Sequence, residues 1–190
     1  MSVPDALLPR LDLDQMPEDL QALLRPRVDR LGYLGEFFRC SAHEPQALVH
    51  FVGLTERLKD ALPPAIVELV ALTCANLLGN DYERNQHHRL CIALGLGDRF
   101  VADVEAGCAG ETRVPEPLAT CQAYVRAACG GADVDVAPTF VEVCRLLGPQ
   151  RAVAVAFTAA RYTAHALVVR SYGLAPPVPA AVERTGRGAE

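Results

Sequence analysis

The chain has no tryptophan and few other aromatic residues, with six Phe and five Tyr among its 190 residues. Because 51% of the residues are nevertheless hydrophobic, the core must be built mainly from Ala, Leu and Val. Such side chains favour closely packed helices. A chain of this length is sufficient for one domain with a substantial core.

An excess of basic residues is also missing, since the formal net charge is −5. Partners that present phosphate groups need clustered Lys and Arg side chains, so we expect no nucleic acid and no membrane as a partner. No run of the sequence is expected to reach the length of a membrane span. The N-terminal segment carries Asp5, Asp12 and Asp14 and lacks the basic and then apolar pattern of a signal peptide. We therefore expect a cytoplasmic protein.

Paired cysteines are lacking as well, because the seven cysteines are spread singly and none forms a CxxC pair. An odd number of separated cysteines is typical of reduced thiols that serve as small core hydrophobes in the cytoplasm. The seven positions are Cys40, Cys74, Cys91, Cys108, Cys121, Cys129 and Cys144.

Helical periodicity interrupted by proline and glycine runs through most of the chain. Gly148-Pro149 separates the last two segments, and the final one is apolar on nearly all faces. Helices are predicted over residues 17–31, 36–40, 45–62, 64–78, 81–94, 98–105, 116–129, 139–147 and 150–172. We predict an all-α fold with an N-terminal helical extension (1–30), a helical domain (31–173) and a flexible tail (174–190).

A dense polar run, residues 79–88, follows the apolar helix that carries Glu68. On the helix that this run opens, Asn80, Glu83 and His87 share one face, and that face continues into apolar residues. A tight turn between the two helices would bring Glu68 close to His87 and Glu83. A neighbouring carboxylate raises the pKa of an imidazole and burial lowers it, so we expect His87 to exchange a proton near neutrality.

The same residues could also have purely structural roles. Glu68 could simply bond to a backbone or hydroxyl group, and Glu83 with His87 could be a surface pair. Asp81, Arg84 and His88 form a neighbouring stripe without apolar continuation, which predicts exposure to solvent or a subunit contact.

A metal site built from His87, Glu83 and Glu68 is conceivable from the residue types alone. However, the adjacent His87 and His88 point to different faces of a helix, and neither an HxxxH nor an HExxH arrangement is present. We therefore expect no metal.

A second polar group lies in the final apolar helix, where Thr158, Arg161 and His165 share a face and Tyr162 lies beside them. A buried Arg needs a carboxylate partner. Arg161 is therefore predicted either to bind a substrate carboxylate or to form a structural salt bridge.

The central motif resembles that of the carboxymuconolactone decarboxylase and alkylhydroperoxidase D superfamily. The resemblance covers roughly residues 36–107 and includes the helix junction from Phe37 to Pro45. It is carried by Leu62-Pro63-Pro64-x-x-x-Glu68-Leu69-Val70, by twelve residues from Glu68 to Asn80, and by Asn80-Asp81-Tyr82-Glu83-x-x-Gln86-His87.

The resemblance implies an alkylhydroperoxidase D-like helical bundle around this helix hairpin, assembled as a homo-oligomer, either a trimer or a hexamer. In the peroxidase branch two cysteines occupy the positions of Asn80 and Glu83, so thiol chemistry at this site is not available here. The decarboxylase branch needs neither a redox cysteine nor a cofactor and fits better. In that branch His87 and Glu83 would form the acid/base pair and Glu68 would tune His87.

The expected substrate is a small organic acid or lactone that undergoes decarboxylation, isomerisation or lactone opening. Substrate contacts are expected from Asn80, which could donate to a developing oxyanion, and from Tyr82, Arg161 and Tyr162. One alternative is a redox protein that uses a remote cysteine such as Cys91. Another is a ligand-binding or scaffold protein, for which a scaffold predicts fully satisfied polar groups and no adjoining cavity.

Overall fold

The computed structural model describes residues 2–130, 134–177 and 179, and within these residues it is helical with no β-strand. This confirms the predicted all-α class. A short 3₁₀ turn over Leu13–Gln15 precedes the helices. These are α1 (Glu18–Leu31), α2 (Glu36–Ser41), α3 (Pro45–Ala61), α4 (Pro64–Leu77), α5 (Asp81–Ala93), α6 (Gly97–Cys108), α7 (Leu118–Cys129) and α8 (Ala137–Tyr172).

Proline and glycine set most helix boundaries at the predicted positions. Pro45 and Pro64 occupy the first turns of α3 and α4, where the missing N–H leaves no helical hydrogen bond unmade. Gly32 ends α1 in the left-handed region with φ of 78°. Gly148, with φ of 76° and ψ of 164°, breaks α8 into two arms, as the Gly148-Pro149 dipeptide predicts.

Helix α4 lies at the centre of the bundle. Residues 66–75 are all buried, and α4 contacts α3, α5, α6, α7 and α8. A helix that is apolar on every face can be accommodated only in this surrounded position. Glu68 is therefore held inside the core rather than at its edge.

The N-terminal helix, α1, contributes to a second apolar cluster in the helical bundle. Leu20 and Leu24 of α1 are fully buried and pack with Phe37 of α2 and Val52 of α3. Tyr82 of α5 belongs to the same cluster, which links α1 to the hairpin. The predicted tail falls largely outside the described residues, and its residues 174–177 are neither helix nor strand.

Among the described residues, α8 has the length and apolar composition that a membrane span requires. The expectation that no run is long enough was therefore wrong by length and composition, because α8 has 36 residues and contains an 18-residue window with a mean hydropathy of 1.4. Half of its most apolar window is buried inside the protein, where it packs on α3, α4 and α7. Membrane spans and central core helices can have the same length and apolar composition. These two properties therefore do not show which of the two α8 is.

Candidate active site

The α4–α5 hairpin brings two side chains together that are nineteen positions apart. The chain turns at Gly79, whose φ of 64° suits glycine, and Asn80 caps α5 by accepting a hydrogen bond from the backbone N–H of Glu83. The return helix then places Nδ1 of His87 at 2.6 Å from Oε2 of Glu68. Both side chains are buried, which excludes the alternative in which His87 belongs to a surface pair.

His87 lies between two carboxylates. Its Nε2 is 3.1 Å from Oε2 of Glu83, while Nδ1 faces Glu68. Burial lowers the pKa of His87, but the hydrogen bonds and charges of Glu68 and Glu83 outweigh burial and raise it to about 9. His87 is therefore an imidazolium at neutral pH, with both N–H groups donating to carboxylates. The expectation of a pKa near neutrality was wrong because it considered one orienting carboxylate, and two are in contact.

Glu83 contacts three other polar side chains, and together they form the polar cluster of the site. Its Oε1 lies 3.0 Å from Nε2 of His165 and 3.4 Å from Nη1 of Arg161, and its Oε2 faces His87. Burial raises the pKa of Glu83, but its interactions with His165, His87 and Arg161 hold it well below the ordinary value. Glu83 is therefore ionised although it is buried.

Sequence reasoning placed His165 on the face of Arg161 but did not assign it to the site. Nδ2 of Asn80 is 3.4 Å from Nδ1 of His165. Because Oδ1 of Asn80 accepts the N–H of Glu83, its Nδ2 must be the donor to His165. This pattern assigns the tautomer in which Nε2 of His165 donates to Glu83. The shared face with Arg161 was the signal in the sequence.

Asn80 is not among the described residues that line this cavity. Both ends of its amide are engaged, one with the N-terminus of α5 and the other with His165. The structure therefore gives Asn80 a positioning contact. The predicted oxyanion contact stays a prediction.

Arg161 meets a carboxylate of the protein itself. Besides its contact with Glu83, its Nε donates to Oγ1 of Thr55 at 2.9 Å. The guanidinium carbon lies 4.9 Å from the ring centroid of Phe51 and 4.3 Å from that of Tyr162. The structural salt bridge is thus present, and Arg161 also lines the cavity, where a substrate carboxylate could reach it.

The two predicted tyrosines reach the same cavity. The hydroxyl of Tyr82 accepts a hydrogen bond from the backbone N–H of Phe37 at 3.4 Å. Tyr162 packs edge-on against His87 with ring centroids 5.0 Å apart. Burial raises the pKa of both phenols, so both are neutral hydrogen-bonding groups at neutral pH.

A cavity of about 390 Å³ opens onto Glu83 and His87. Its volume is in the range of small-molecule sites. Glu83 is the one carboxylate among its described lining residues, whereas five lining side chains are Arg or Lys. These five are Arg27, Arg30, Lys59, Arg89 and Arg161. Outside the wall Glu56 pairs with Arg27 and Lys59, so part of the positive charge is neutralised locally.

The second polar stripe of α5, formed by Asp81, Arg84 and His88, was predicted to face solvent or a subunit contact. The structure shows that most of it is buried against α6. Arg84 is buried and donates from Nε to Glu105 of α6 at 2.9 Å. His88 is buried and contacts Asp98 of α6 at 2.7 Å. Only Asp81 of this stripe is exposed. These pairs attach α5 to α6 and lie away from the cavity.

The carboxylates and imidazoles of the cluster are engaged with one another. Within the described residues, no group of three or more His, Cys, Asp or Glu side chains is arranged to hold a metal ion. Cys91, one turn after His87, is fully buried with its sulfur 4.0 Å from Oε2 of Glu68. Burial and the charge of Glu68 raise the pKa of this thiol to about 12.

The chain matches no protein-family model, and a comparison with curated proteins likewise finds no match. The resemblance to the carboxymuconolactone decarboxylase and alkylhydroperoxidase D superfamily therefore rests on the motif residues alone. Their geometry agrees with an acid/base cluster at the wall of a cavity.

Proposed function

We propose that this protein is a carboxymuconolactone decarboxylase-like enzyme that performs cofactor-independent proton transfer on a small organic acid or lactone. The observation that carries the proposal is His87, held as an imidazolium between Glu68 and Glu83 where the cavity meets the core. A protonated group at a cavity wall is suited to general acid catalysis.

In this proposal His87 supplies the proton. In decarboxylation the C–C bond to the carboxylate breaks, carbon dioxide leaves, and the electron pair stays on the substrate as a carbanion or dienolate that requires a proton; when a lactone C–O bond breaks, the leaving oxygen requires the proton. The proton passes from Nε2 of His87 to Oε2 of Glu83 and from Glu83 to the substrate, which leaves Glu83 a carboxylate again, while Nδ1–H of His87 stays on Glu68. The unprotonated Nε2 of the neutral ring then faces the carboxylate of Glu83. This arrangement is unfavourable, and His87 therefore takes up a new proton from solvent. Glu68 and Glu83 thus restore the acid after each turnover.

The charges around the cavity favour an anionic substrate. The protein carries a formal charge of −5, yet Arg and Lys side chains line this opening. A cavity with one sign of charge raises the local concentration of ligands of the opposite sign. Phe37, Phe38 and Phe51 line the same cavity and offer apolar contacts to the carbon skeleton of an organic acid.

A redox role at Cys91 and a purely structural scaffold are less well supported by these contacts, whereas a non-catalytic ligand-binding protein fits the cavity as an enzyme does. A scaffold protein would leave no cavity beside the satisfied polar cluster, and a cavity is present. A redox reaction at Cys91 would require a thiolate, which burial and the charge of Glu68 disfavour.

A homo-oligomer, trimeric or hexameric, is part of the proposal. On α8 the residues Val153, Phe157, Ala160, Ala164 and Leu167 follow one another at intervals of four and three, the spacing of a helix-packing seam. Val153, Phe157 and Leu167 are 45%, 54% and 50% exposed. In an antiparallel pair centred on Ala160, the large Phe157 of one copy would oppose the small Ala164 of the other. This size complementarity favours a second copy of the chain as the partner, and such a two-fold contact can join two trimers into a hexamer but cannot by itself build a trimer.

A cytoplasmic location is proposed on the basis of the thiols. All seven cysteines are free, which suits a reducing compartment.

The proposed reaction is tested by incubating the purified full-length protein with a panel of small carboxylic acids and lactones, without added metal or cofactor. Release of carbon dioxide and changes in ultraviolet absorbance report the reaction. We expect His87→Ala to lower kcat at least a hundredfold, a typical contribution of a general acid, on the order of 10² to 10⁴. Turnover by His87→Ala at the wild-type rate would contradict the proposal.

His88→Gln is the matched control for that variant. His88 is also a buried imidazole on α5 that contacts a carboxylate, but it does not line the cavity. It should change stability without abolishing turnover.

A further inference from the structure

Two cysteines from distant parts of the chain are in contact outside the cavity. The sulfur of Cys74 in α4 lies 4.0 Å from the sulfur of Cys129, which is 55 positions later at the end of α7. Cys74 is buried, whereas Cys129 is half-buried. Neither belongs to the motif around Glu68 and His87.

The surroundings of the two thiols are unequal. Cys129 contacts both the thiol of Cys74 and the hydroxyl of Thr163, whose oxygen is 3.9 Å from its sulfur. The hydrogen bond from Cys74 lowers the pKa of Cys129 against the effect of burial, and Thr163 contributes in the same direction. Cys74 instead has its pKa raised and can also donate to the carbonyl of Ala159. Cys129 is the more accessible and more nucleophilic thiol of the pair.

We propose that Cys74 and Cys129 form a reversible disulfide, a redox site that takes hydroperoxides as oxidants. The thiolate of Cys129 attacks the terminal oxygen of the peroxide, forming an S–O bond as the O–O bond breaks, and the leaving oxygen is protonated to water when the oxidant is hydrogen peroxide or to an alcohol when it is an organic hydroperoxide. The sulfur of Cys74 then attacks the sulfenic acid of Cys129, forming the S–S bond and releasing water. Two thiols are oxidised and one peroxide is reduced, so the electrons balance.

The geometry requires only a small movement. The sulfur atoms must approach from 4.0 Å to a bond length of about 2.05 Å. Cys129 is the last residue of α7 and is half-buried, so its side chain has more room to rotate than that of the buried Cys74. The burial of Cys74 protects it from direct attack and gives it the role of resolving thiol. This redox site is independent of the proposed proton transfer, because neither sulfur lines the cavity.

The experiment treats the full-length protein with hydrogen peroxide and maps its peptides by mass spectrometry without reduction. We expect two thiols to be lost per chain, a mass decrease of two hydrogens, and a peptide that links Cys74 to Cys129. Dithiothreitol should restore both thiols. A different disulfide, a link between two chains, or oxidation of other thiols while this pair stays reduced would overturn the proposal.

Three variants assign the roles within the pair. Cys129→Ala should lose no thiol pair under the same treatment, whereas Cys108→Ala, which replaces a half-buried thiol on α6, should form the disulfide as the wild type does. Cys74→Ala should leave Cys129 without a resolving thiol, so Cys129 should gain oxygen atoms instead. Loss of two thiols in Cys129→Ala would refute the assignment. The peptide map of the wild type remains decisive if a variant does not fold.

Discussion

Nδ1 of His87 and Oε2 of Glu68 form a 2.6 Å contact inside the protein. The contact joins two helices and fixes the orientation of the imidazole, so that Nε2 points to Glu83 at the cavity. Glu68 thus acts on the cavity through His87 and is not among its described lining residues. We regard Glu68 as a positioning residue.

Replacing Glu68 by Gln tests this assignment. The amide keeps a hydrogen-bond acceptor but removes the charge of Glu68, which is one of the two carboxylates that together raise the pKa of His87 to about 9. We expect the pKa of His87 to fall in Glu68→Gln, measured by NMR titration of the imidazole. Asp98→Asn, which alters the contact of His88 instead, should leave the His87 titration unchanged. An unchanged His87 pKa in Glu68→Gln would show that Glu68 does not tune it.

The same pKa shift makes stability depend on pH. His87 binds its proton more tightly in the folded protein, so its stabilising effect is complete below its unfolded pKa of about 6.5 and is lost as the pH rises through about 9. Over this window we expect the free energy of unfolding to fall by up to about 3 kcal/mol, at about 1.4 kcal/mol per pKa unit. Urea denaturation at several pH values measures the decrease.

His87→Gln provides the reference for this pH series. The variant has no titrating group at this position, so its stability should change less between the two pH values than that of the wild type. Equal slopes for the two proteins would mean that His87 is not the group responsible.

The hairpin geometry was predictable because its determinants are local in the sequence. A fixed helical rise and a tight turn at Gly79 bring Glu68, Glu83 and His87 together whatever surrounds them. The contact of His165 with Glu83 was not predictable from spacing. It depends on how α8 packs against the hairpin, which is a property of the whole bundle.

The burial of Arg84 and His88 was mispredicted for the same kind of reason. Both face α6, and their carboxylate partners, Glu105 and Asp98, belong to that helix. Their face of α5 lacks an apolar continuation, so periodicity alone indicated solvent. A carboxylate supplied by a neighbouring helix satisfies buried polar groups where a hydrophobic stripe would otherwise be required.

Arg161 can be tested as a substrate-binding residue separately from its salt bridge. In Arg161→Met, Glu83 keeps its contacts with His165 and His87. If Arg161 also binds a substrate carboxylate, KM should rise about tenfold or more, since a hydrogen bond between charged groups contributes about 1.5–3 kcal/mol. Steady-state kinetics on an acid identified in the panel measure this.

Arg151→Met is the control for that substitution, because Arg151 is exposed on α8 and does not line the cavity. Its KM should match that of the wild type. A lower melting temperature in Arg161→Met with an unchanged KM would show that Arg161 stabilises the fold and does not bind the substrate.

The helix-packing seam of α8, which includes Val153, Phe157 and Leu167, predicts that a charged side chain in it weakens the homo-oligomer. Phe157→Glu places a carboxylate at a position that is 54% exposed in the single chain and buried in the proposed contact between copies. The variant should remain folded and have a lower molar mass than the wild type by light scattering after gel filtration. Leu54→Glu, on the exposed surface of α3, should not change the mass. A wild-type protein that is monomeric at micromolar concentration would contradict the proposed assembly.

Two glycines inside helices should respond in opposite directions to substitution by alanine. A Cβ at Gly107 would lie 1.9 Å from Oε1 of Gln122. The end of that side chain cannot move freely, because Gln122 is buried and its Nε2 donates to the carbonyl of Val104 at 2.8 Å. Gly107→Ala should therefore lower the free energy of unfolding by about 1–3 kcal/mol, as overpacking in cores does.

At Gly53 in α3, by contrast, a Cβ meets no atom within 4 Å. Gly53→Ala should raise the free energy of unfolding by about 0.5–1 kcal/mol, because alanine loses less backbone entropy than glycine when it joins a helix. Urea denaturation of both variants gives the comparison. Stabilisation by Gly107→Ala equal to that by Gly53→Ala would mean that α6 and α7 separate easily enough to admit a methyl group, and that the Gln122 contacts do not hold them together.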